Sequence, residues 1–169
     1  YYGEISPPAD NIIARDFKAN APNKKWLTDI SEFRISAGKL YLSPVIDCFD
    51  GLVVSWKVGT RPTAQLVNGM LDDAIGSLHS KEYPIVHSDR GGHYRWPGWI
   101  NRMRDAQLTR SMSRKGCSPD NAACEGFFAI VSFLSYPWVP PCLAGTHMNY
   151  WIFESFRNSR FQNTVLLLL

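Results

Sequence analysis

A mixed α/β sheet with helices on its faces is the fold class this sequence predicts, and three observations carry it. Three runs rich in β-formers, at residues 26–33, 40–47 and 52–58, are joined by short turn segments. Beyond them, helix-like and strand-like stretches alternate. The 169 residues, 45% hydrophobic and 20% charged, suffice for one domain with a substantial core rather than a disordered chain.

The elements follow in order. Residues 1–24 are polar, carry Pro7, Pro8 and Pro22, and read as an extended lead-in. A first strand is expected over 26–33. The turn residues Ser36, Ala37 and Gly38 separate it from a second strand at 40–47. Asp50-Gly51, a strong turn dipeptide, leads into a third at 52–58. Connections this short imply an antiparallel meander. Over 63–78, Leu66, Val67, Met70, Leu71, Ala74 and Ile75 fall on one helical stripe. Residues 84–87 form a short apolar run that ends at Ser88-Asp89, as a buried strand does. A second helix is expected over 96–106 and a short strand over 107–110.

Residues 113–118 form a basic, Gly-containing loop. Ser118-Pro119 then supplies an N-cap and a first-turn proline for a helix over 119–134. Its buried stripe is Cys124, Phe127, Val131 and Leu134, and Asn121 and Glu125 share another face one turn apart. From residue 129 to 169 the only charged residues are Glu154, Arg157 and Arg160, and no helical or strand period persists. The expected division is a lead-in at 1–24, a core at 25–134 and an atypical aromatic-rich tail at 135–169. No internal repeat is present.

A net charge of +3 permits binding to a polyanion without arguing for it. Cys48, Cys117, Cys124 and Cys142 form no CxxC pair and no zinc-finger spacing, so they are read as reduced thiols of a cytoplasmic protein. No signal peptide is visible. The most apolar stretch, 127–145, is interrupted by Pro137, Pro140 and Pro141, which argues against a membrane span. The chain opens on Tyr1 rather than Met and is expected to be a fragment with a domain upstream.

Three acidic residues organise the chemistry: Asp29 in WLTDISEF, Asp89 in VHSDRGGHY and Glu125 in SRKGCSPDNAACEGFF. Asp29 sits among Leu27, Ile30 and Phe33, where an unpaired carboxylate is costly. Asp89 precedes Arg90-Gly91-Gly92, a loop suited to close approach of a ligand. Carboxylates are hard-oxygen ligands for Mg²⁺ or Mn²⁺, and a cluster of three repels itself unless a cation is present. In a two-metal site the ions, about 4 Å apart, flank a scissile phosphate. The bland alternative is that each acid is a turn or cap residue, since fifteen acidic residues produce many spacings by chance.

At these residues the chain resembles the integrase-type catalytic core of bacterial insertion-sequence transposases, kin to retroviral integrases. The likeness covers about residues 10 to 128. It includes Asn11, Arg15, Phe17 and Pro22-Asn23, then WLTDISEF, KLYLSPVIDCFD, HSDRGGHY and MSRKGCSPDNAACEGFF. The resemblance implies a ribonuclease H-like fold, a catalytic and metal-binding triad of Asp29, Asp89 and Glu125, and two Mg²⁺ or Mn²⁺ ions. It also implies DNA as partner, both element ends and target, and a homo-oligomeric active complex. The implied reaction is strand cleavage by water followed by attack of a 3′-hydroxyl on target DNA. The family usually continues past the glutamate with a basic helix, where this chain has Ser132, and often carries Arg where Gly51 stands. The change of composition after Phe128 therefore reads as a frameshift or a degraded gene copy.

Further residues complete the expected site. Asn121 is placed to orient Glu125 or a bound water. Arg90, His93, Arg114 and Lys115 are candidate DNA contacts, against the alternative of a solvated surface. His87 and Asp47 are expected to be a packed histidine and a strand-end turn residue rather than metal ligands. Trp26, Tyr41 and Trp56 are expected on strand faces or in the core. Two other functions compete with strand transfer: a catalytically impaired remnant that keeps the fold and nucleic-acid binding, and a ribonuclease H-like nuclease that cuts without joining.

Overall fold

The structure, a computed structural model, describes residues 6–35 and 38–115. The expected helix over 119–134 with Asn121 and Glu125, and the tail at 135–169, lie outside the described residues.

Six strands form one mixed sheet: β1 (Lys25–Thr28), β2 (Ser31–Ile35), β3 (Gly38–Asp47), β4 (Val53–Gly59), β5 (Ile85–Ser88) and β6 (Thr109–Met112). β3 pairs antiparallel with β1, β2 and β4, which is the expected meander. β5 then pairs parallel to β1, and β6 parallel to β5. β1 is therefore central, flanked by the meander on one side and the parallel strands on the other.

The single strand expected over 26–33 is in fact two, and the break falls at Asp29. β1 and β2 lie along β3 in one shared register, with Thr28 opposite Val45 and Ser31 opposite Leu42. Asp29 and Ile30 thus fall opposite Pro44 and Ser43. The Cys48 amide donates to the Lys25 carbonyl at 2.9 Å, and strand alternation turns position 44 toward the same side. Pro44 has no N–H, so the ladder lacks its donor there. The Asp29 carboxylate takes the next amide itself, accepting from Ile30 N–H at 2.7 Å.

Among the described residues two α-helices cover one face. In α1 (Ala64–Gly76), Thr63 caps the start by accepting from Leu66 N–H at 3.2 Å, and Leu66, Val67, Met70, Leu71 and Ala74 are buried as the periodicity requires. In α2 (Pro97–Asp105), Pro97 opens the helix and Trp99 and Met103 point inward. These pack on Trp26, Val45, Val86 and Met112 of the sheet. The strand expected over 107–110 begins two residues later. The amides of Ala106, Gln107 and Leu108 still bond back to α2 carbonyls, and Gln107 takes a left-handed φ of 58° to end the helix.

The opposite face carries Leu27, Leu42 and Ile46, and Ile13 of the lead-in is buried against them. Residues 6–24 form no helix or strand, yet the segment is tied down. Met112 N–H donates to the Asp10 carbonyl at 3.2 Å, and Ile12 and Ile13 donate to Ser111 Oγ at 3.0 and 3.3 Å. Ser111 is the hub of this attachment. Replacing it with Ala strands two amides and a histidine nitrogen, so Ser111→Ala is expected to cost about 1–3 kcal/mol. Chemical denaturation checks this through a lower midpoint at unchanged slope.

At the β3–β4 turn, Gly51 has φ 74°, which an L side chain rarely adopts, and Asp50 Oδ1 accepts from Leu52 N–H at 3.0 Å. The glycine is what this turn requires.

Candidate catalytic site at the ends of β1 and β5

The parallel pairing of β1 and β5 places the two aspartates. Lys25 lies opposite Ile85, Trp26 opposite Val86 and Leu27 opposite His87. Asp29 and Asp89 are each two residues beyond that last pair, so they leave the sheet at the same level from the carboxyl ends of neighbouring strands. Strand alternation also gives them one face, that of Leu27 and His87. Leu27 packs there with Ile13 and Ile46, and His87 meets the Phe17 ring edge-on at 6.0 Å. Carboxylates are the hard-oxygen donor type that Mg²⁺ or Mn²⁺ prefers. Among the described residues no group of three His, Cys, Asp or Glu comes together. Glu125, the third acid expected from the sequence, lies outside them.

Local structure holds the Asp89 carboxylate in place. Its Oδ1 accepts from Gly91 N–H at 2.8 Å, and Ser88 Oγ donates to the Asp89 carbonyl at 2.9 Å. Gly91 has an ordinary φ of −53°, so its backbone does not require glycine. Space does: a Cβ built there would lie 2.8 Å from Asp89 Oδ1 and 3.4 Å from Oδ2. The sequence suggested a loop open to ligands; the structure shows a turn packed against its own aspartate.

His87 is buried and hydrogen-bonded through both ring nitrogens. Nδ1 lies 2.9 Å from Ser111 Oγ and Nε2 lies 3.2 Å from Ser113 Oγ. Ser111 Oγ already accepts the Ile12 and Ile13 amides, so its one hydrogen goes to Nδ1. This assigns the neutral tautomer with the proton on Nε2. His87 is thus a packed residue, as expected, that couples the lead-in to the strand bearing Asp89.

Asp47 occupies the other end of the sheet, opposite Trp26. Its Oδ2 accepts from Asn23 N–H at 2.7 Å and its Oδ1 from Phe49 N–H at 2.9 Å. Burial raises its pKa, and the two amides oppose that rise. It is a turn residue. Beside it, burial pushes the Cys48 thiol up to about 12, so the free cysteine is protonated at neutral pH.

Of the expected DNA contacts, Arg90 is half-buried beside Asp89, and Arg114 and Lys115 are exposed beyond β6. The His93 ring stands edge-on to Trp96 with centroids 4.7 Å apart. Burial lowers its pKa while the Asp89 charge partly restores it, which favours the neutral imidazole. The sequence reading missed Gly91 as a packing requirement and missed the Ser111–His87–Ser113 chain. The Gly-Gly pair signalled the first; serines on a short strand signalled nothing.

The sequence profile described as Integrase core domain matches residues 19–118. This chain belongs to the integrase core domain family. Within that family it is similar to a probable transposase for insertion sequence element IS1353 of Shigella flexneri, at 62% identity over 138 residues, which are 81% of this chain and 27% of the relative. It is also 46% identical over 128 residues to the putative transposase InsK for insertion sequence element IS150 of Escherichia coli K12, covering 76% of this chain and 45% of the relative. The chain thus spans less than half the length of these two relatives. Among solved structures, this integrase core is similar to the HTLV-2 integrase catalytic core domain in complex with magnesium. That match has a TM-score of 0.56 at 17% identity over 81% of this chain and 84% of the other. A chain of the simian T-cell lymphotropic virus intasome in complex with PP2A regulatory subunit B56 gamma gives a TM-score of 0.65 at 17% identity, covering 98% and 51%. The mixed sheet with its helices is the ribonuclease H-like fold of integrase catalytic cores. Among the described residues no helix is long and apolar enough to cross a membrane.

Proposed function

We propose that this integrase core is the catalytic part of an insertion-sequence transposase, carrying out metal-dependent DNA strand cleavage and strand transfer. The observation that carries the reading is the β1–β5 register, which delivers Asp29 and Asp89 to one level and one face. Asp29, Asp89 and Glu125 would hold two Mg²⁺ or Mn²⁺ ions, with Asn121 supporting Glu125. When bound, these ions supply the charge that activates the attacking oxygen and stabilises the leaving one.

The chain's own residues have defined tasks in this scheme. Asp29 and Asp89 are anchored by the Ile30 and Gly91 amides, so little reorganisation is needed when DNA arrives. In cleavage, a water oxygen forms a bond to phosphorus as the bond to the 3′-oxygen breaks, which leaves a 3′-hydroxyl. In transfer, that hydroxyl attacks a target phosphate and displaces another 3′-oxygen, so phosphodiester bonds are exchanged without a covalent enzyme intermediate. Arg90, Arg114 and Lys115 would contact phosphates near this end of the sheet. Neutral His93 would offer a hydrogen bond or a ring face rather than a charge. Element ends and target DNA are the partners, and joining two ends calls for a homo-oligomer.

A strand-transfer assay on the full chain tests the reading, using duplex DNA that ends in the element's terminal repeat, with Mg²⁺ or Mn²⁺. Joined products are the expected result. Cleaved but unjoined DNA would point to the nuclease alternative, and intact DNA with both metals would point to the impaired remnant.

A further inference from the structure

The stretch from Arg90 to Lys115 carries seven Lys or Arg residues and one acid, Asp105, in a chain whose net charge is only +3. Two of these cations are spoken for: Arg102 pairs with Asp72 at 2.7 Å and Arg104 with Asp105 at 2.9 Å. Arg95 and Arg110 differ from them. Arg95 Nε donates to the Ser6 carbonyl at 2.8 Å, and Arg110 reaches the Tyr94 carbonyl, on the residue before Arg95, at 3.4 Å. Neither has an acidic partner among the described residues. Arg110 Nε is buried there without a hydrogen-bond partner. The two side chains are half-buried, so bulk solvent only partly screens their repulsion. Burial and the charge of Arg95 together pull Arg110 below its ordinary pKa. Two guanidinium groups near enough for one charge to act on the other, one with an unused buried donor, suit a tetrahedral oxyanion bound by both.

We propose that Arg95 and Arg110 form a phosphate-binding subsite, on the edge-strand side of the sheet, for one backbone phosphate of the DNA. The assignment rests on the DNA-processing reading above. A polymer fits better than a small free anion because the cations continue toward the acidic site. Ser88 and Met112 are the last pair of β5 and β6, and Arg90 and Arg114 each follow two residues later, at the carboxyl ends of these strands. By strand alternation Arg110 lies on the helix-covered face and Asp89 on the opposite one, so a backbone held by Arg95 and Arg110 would pass round the strand ends at this pair to reach Asp89.

Fluorescence anisotropy of the full chain with a labelled duplex, titrated at several KCl concentrations, tests the subsite. Each phosphate contact contributes about 0.9 to the slope of log affinity against log salt. The Arg95→Gln, Arg110→Gln double variant is expected to bind more weakly and to lose about one unit of slope. The Arg102→Gln, Arg104→Gln double variant removes the same charge from α2 and should keep a slope nearer the wild type. Should the first double variant fail to fold by circular dichroism, Arg95→Gln alone decides by the same criterion. An unchanged slope overturns the subsite and leaves the transposase reading standing. Wild-type protein that shows no salt-dependent DNA binding overturns both.

Discussion

Asp89→Asn is expected to reduce strand transfer by roughly 10³-fold or more while leaving the fold and DNA binding intact. Asparagine has the shape of aspartate and keeps an oxygen that can accept the Gly91 amide, which in the wild type donates at 2.8 Å. What it loses is the negative charge needed to hold a divalent cation. Metal assistance contributes several kcal/mol to the transition state, and each 1.36 kcal/mol is about tenfold in rate. Asp29→Asn should behave alike, since its carboxylate is anchored in the same way by Ile30 N–H. Glu125→Gln completes the set. The measurement is joined product per unit time over a Mg²⁺ titration, with anisotropy and a thermal melt as controls. Activity within tenfold of wild type in any of the three, at normal stability, would remove that residue from the proposed triad.

Gly91→Ala is the second large effect, and it separates positioning from charge. The backbone there accepts alanine, because φ is −53°. The new methyl would lie 2.8 Å from Asp89 Oδ1, closer than real Cβ contacts come, so the carboxylate must shift. A misplacement of order 1 Å costs about 10²-fold in rate. The expected outcome is a loss of that size, a higher Mg²⁺ requirement, and little change in melting temperature. Gly92→Ala is the built-in comparison. Its nearest neighbour is Trp96 Nε1 at 3.9 Å, an ordinary contact, so activity should stay near wild type. Equal effects from the two alanines would show that the loop matters for its flexibility and not for its grip on Asp89.

Much of the fold was legible because local chemistry and tertiary demand agree. The α1 stripe from Leu66 to Ala74 is buried as its spacing requires, and Thr63 and Pro97 start their helices where a cap and a first-turn proline should. The disagreements have local causes. The strand expected over 26–33 breaks at Asp29 because Pro44, fifteen residues away in sequence, sits opposite it without an amide hydrogen. The last strand starts late because three amides after α2 still serve helix carbonyls. A single-strand pattern cannot report either event, since each depends on a partner distant along the chain or on where a helix finishes its hydrogen bonds.

By itself the sequence determined the residue types that could do metal chemistry, their contexts, the strand and helix periods, and a likeness strong enough to name the family. Tertiary structure alone decided which residues meet. Whether Asp29 and Asp89 share a level depends on the β1–β5 register, and sixty residues of chain separate them. Whether Gly91 is loop or buttress depends on a 2.8 Å approach. Whether Arg110 reaches the carbonyl of the residue before Arg95 depends on how β6 packs beside the turn that precedes α2. Sequence patterns record one residue's preference for a face or a turn. Proximity across the fold is set by hydrogen-bond register and packing, which only the assembled sheet supplies.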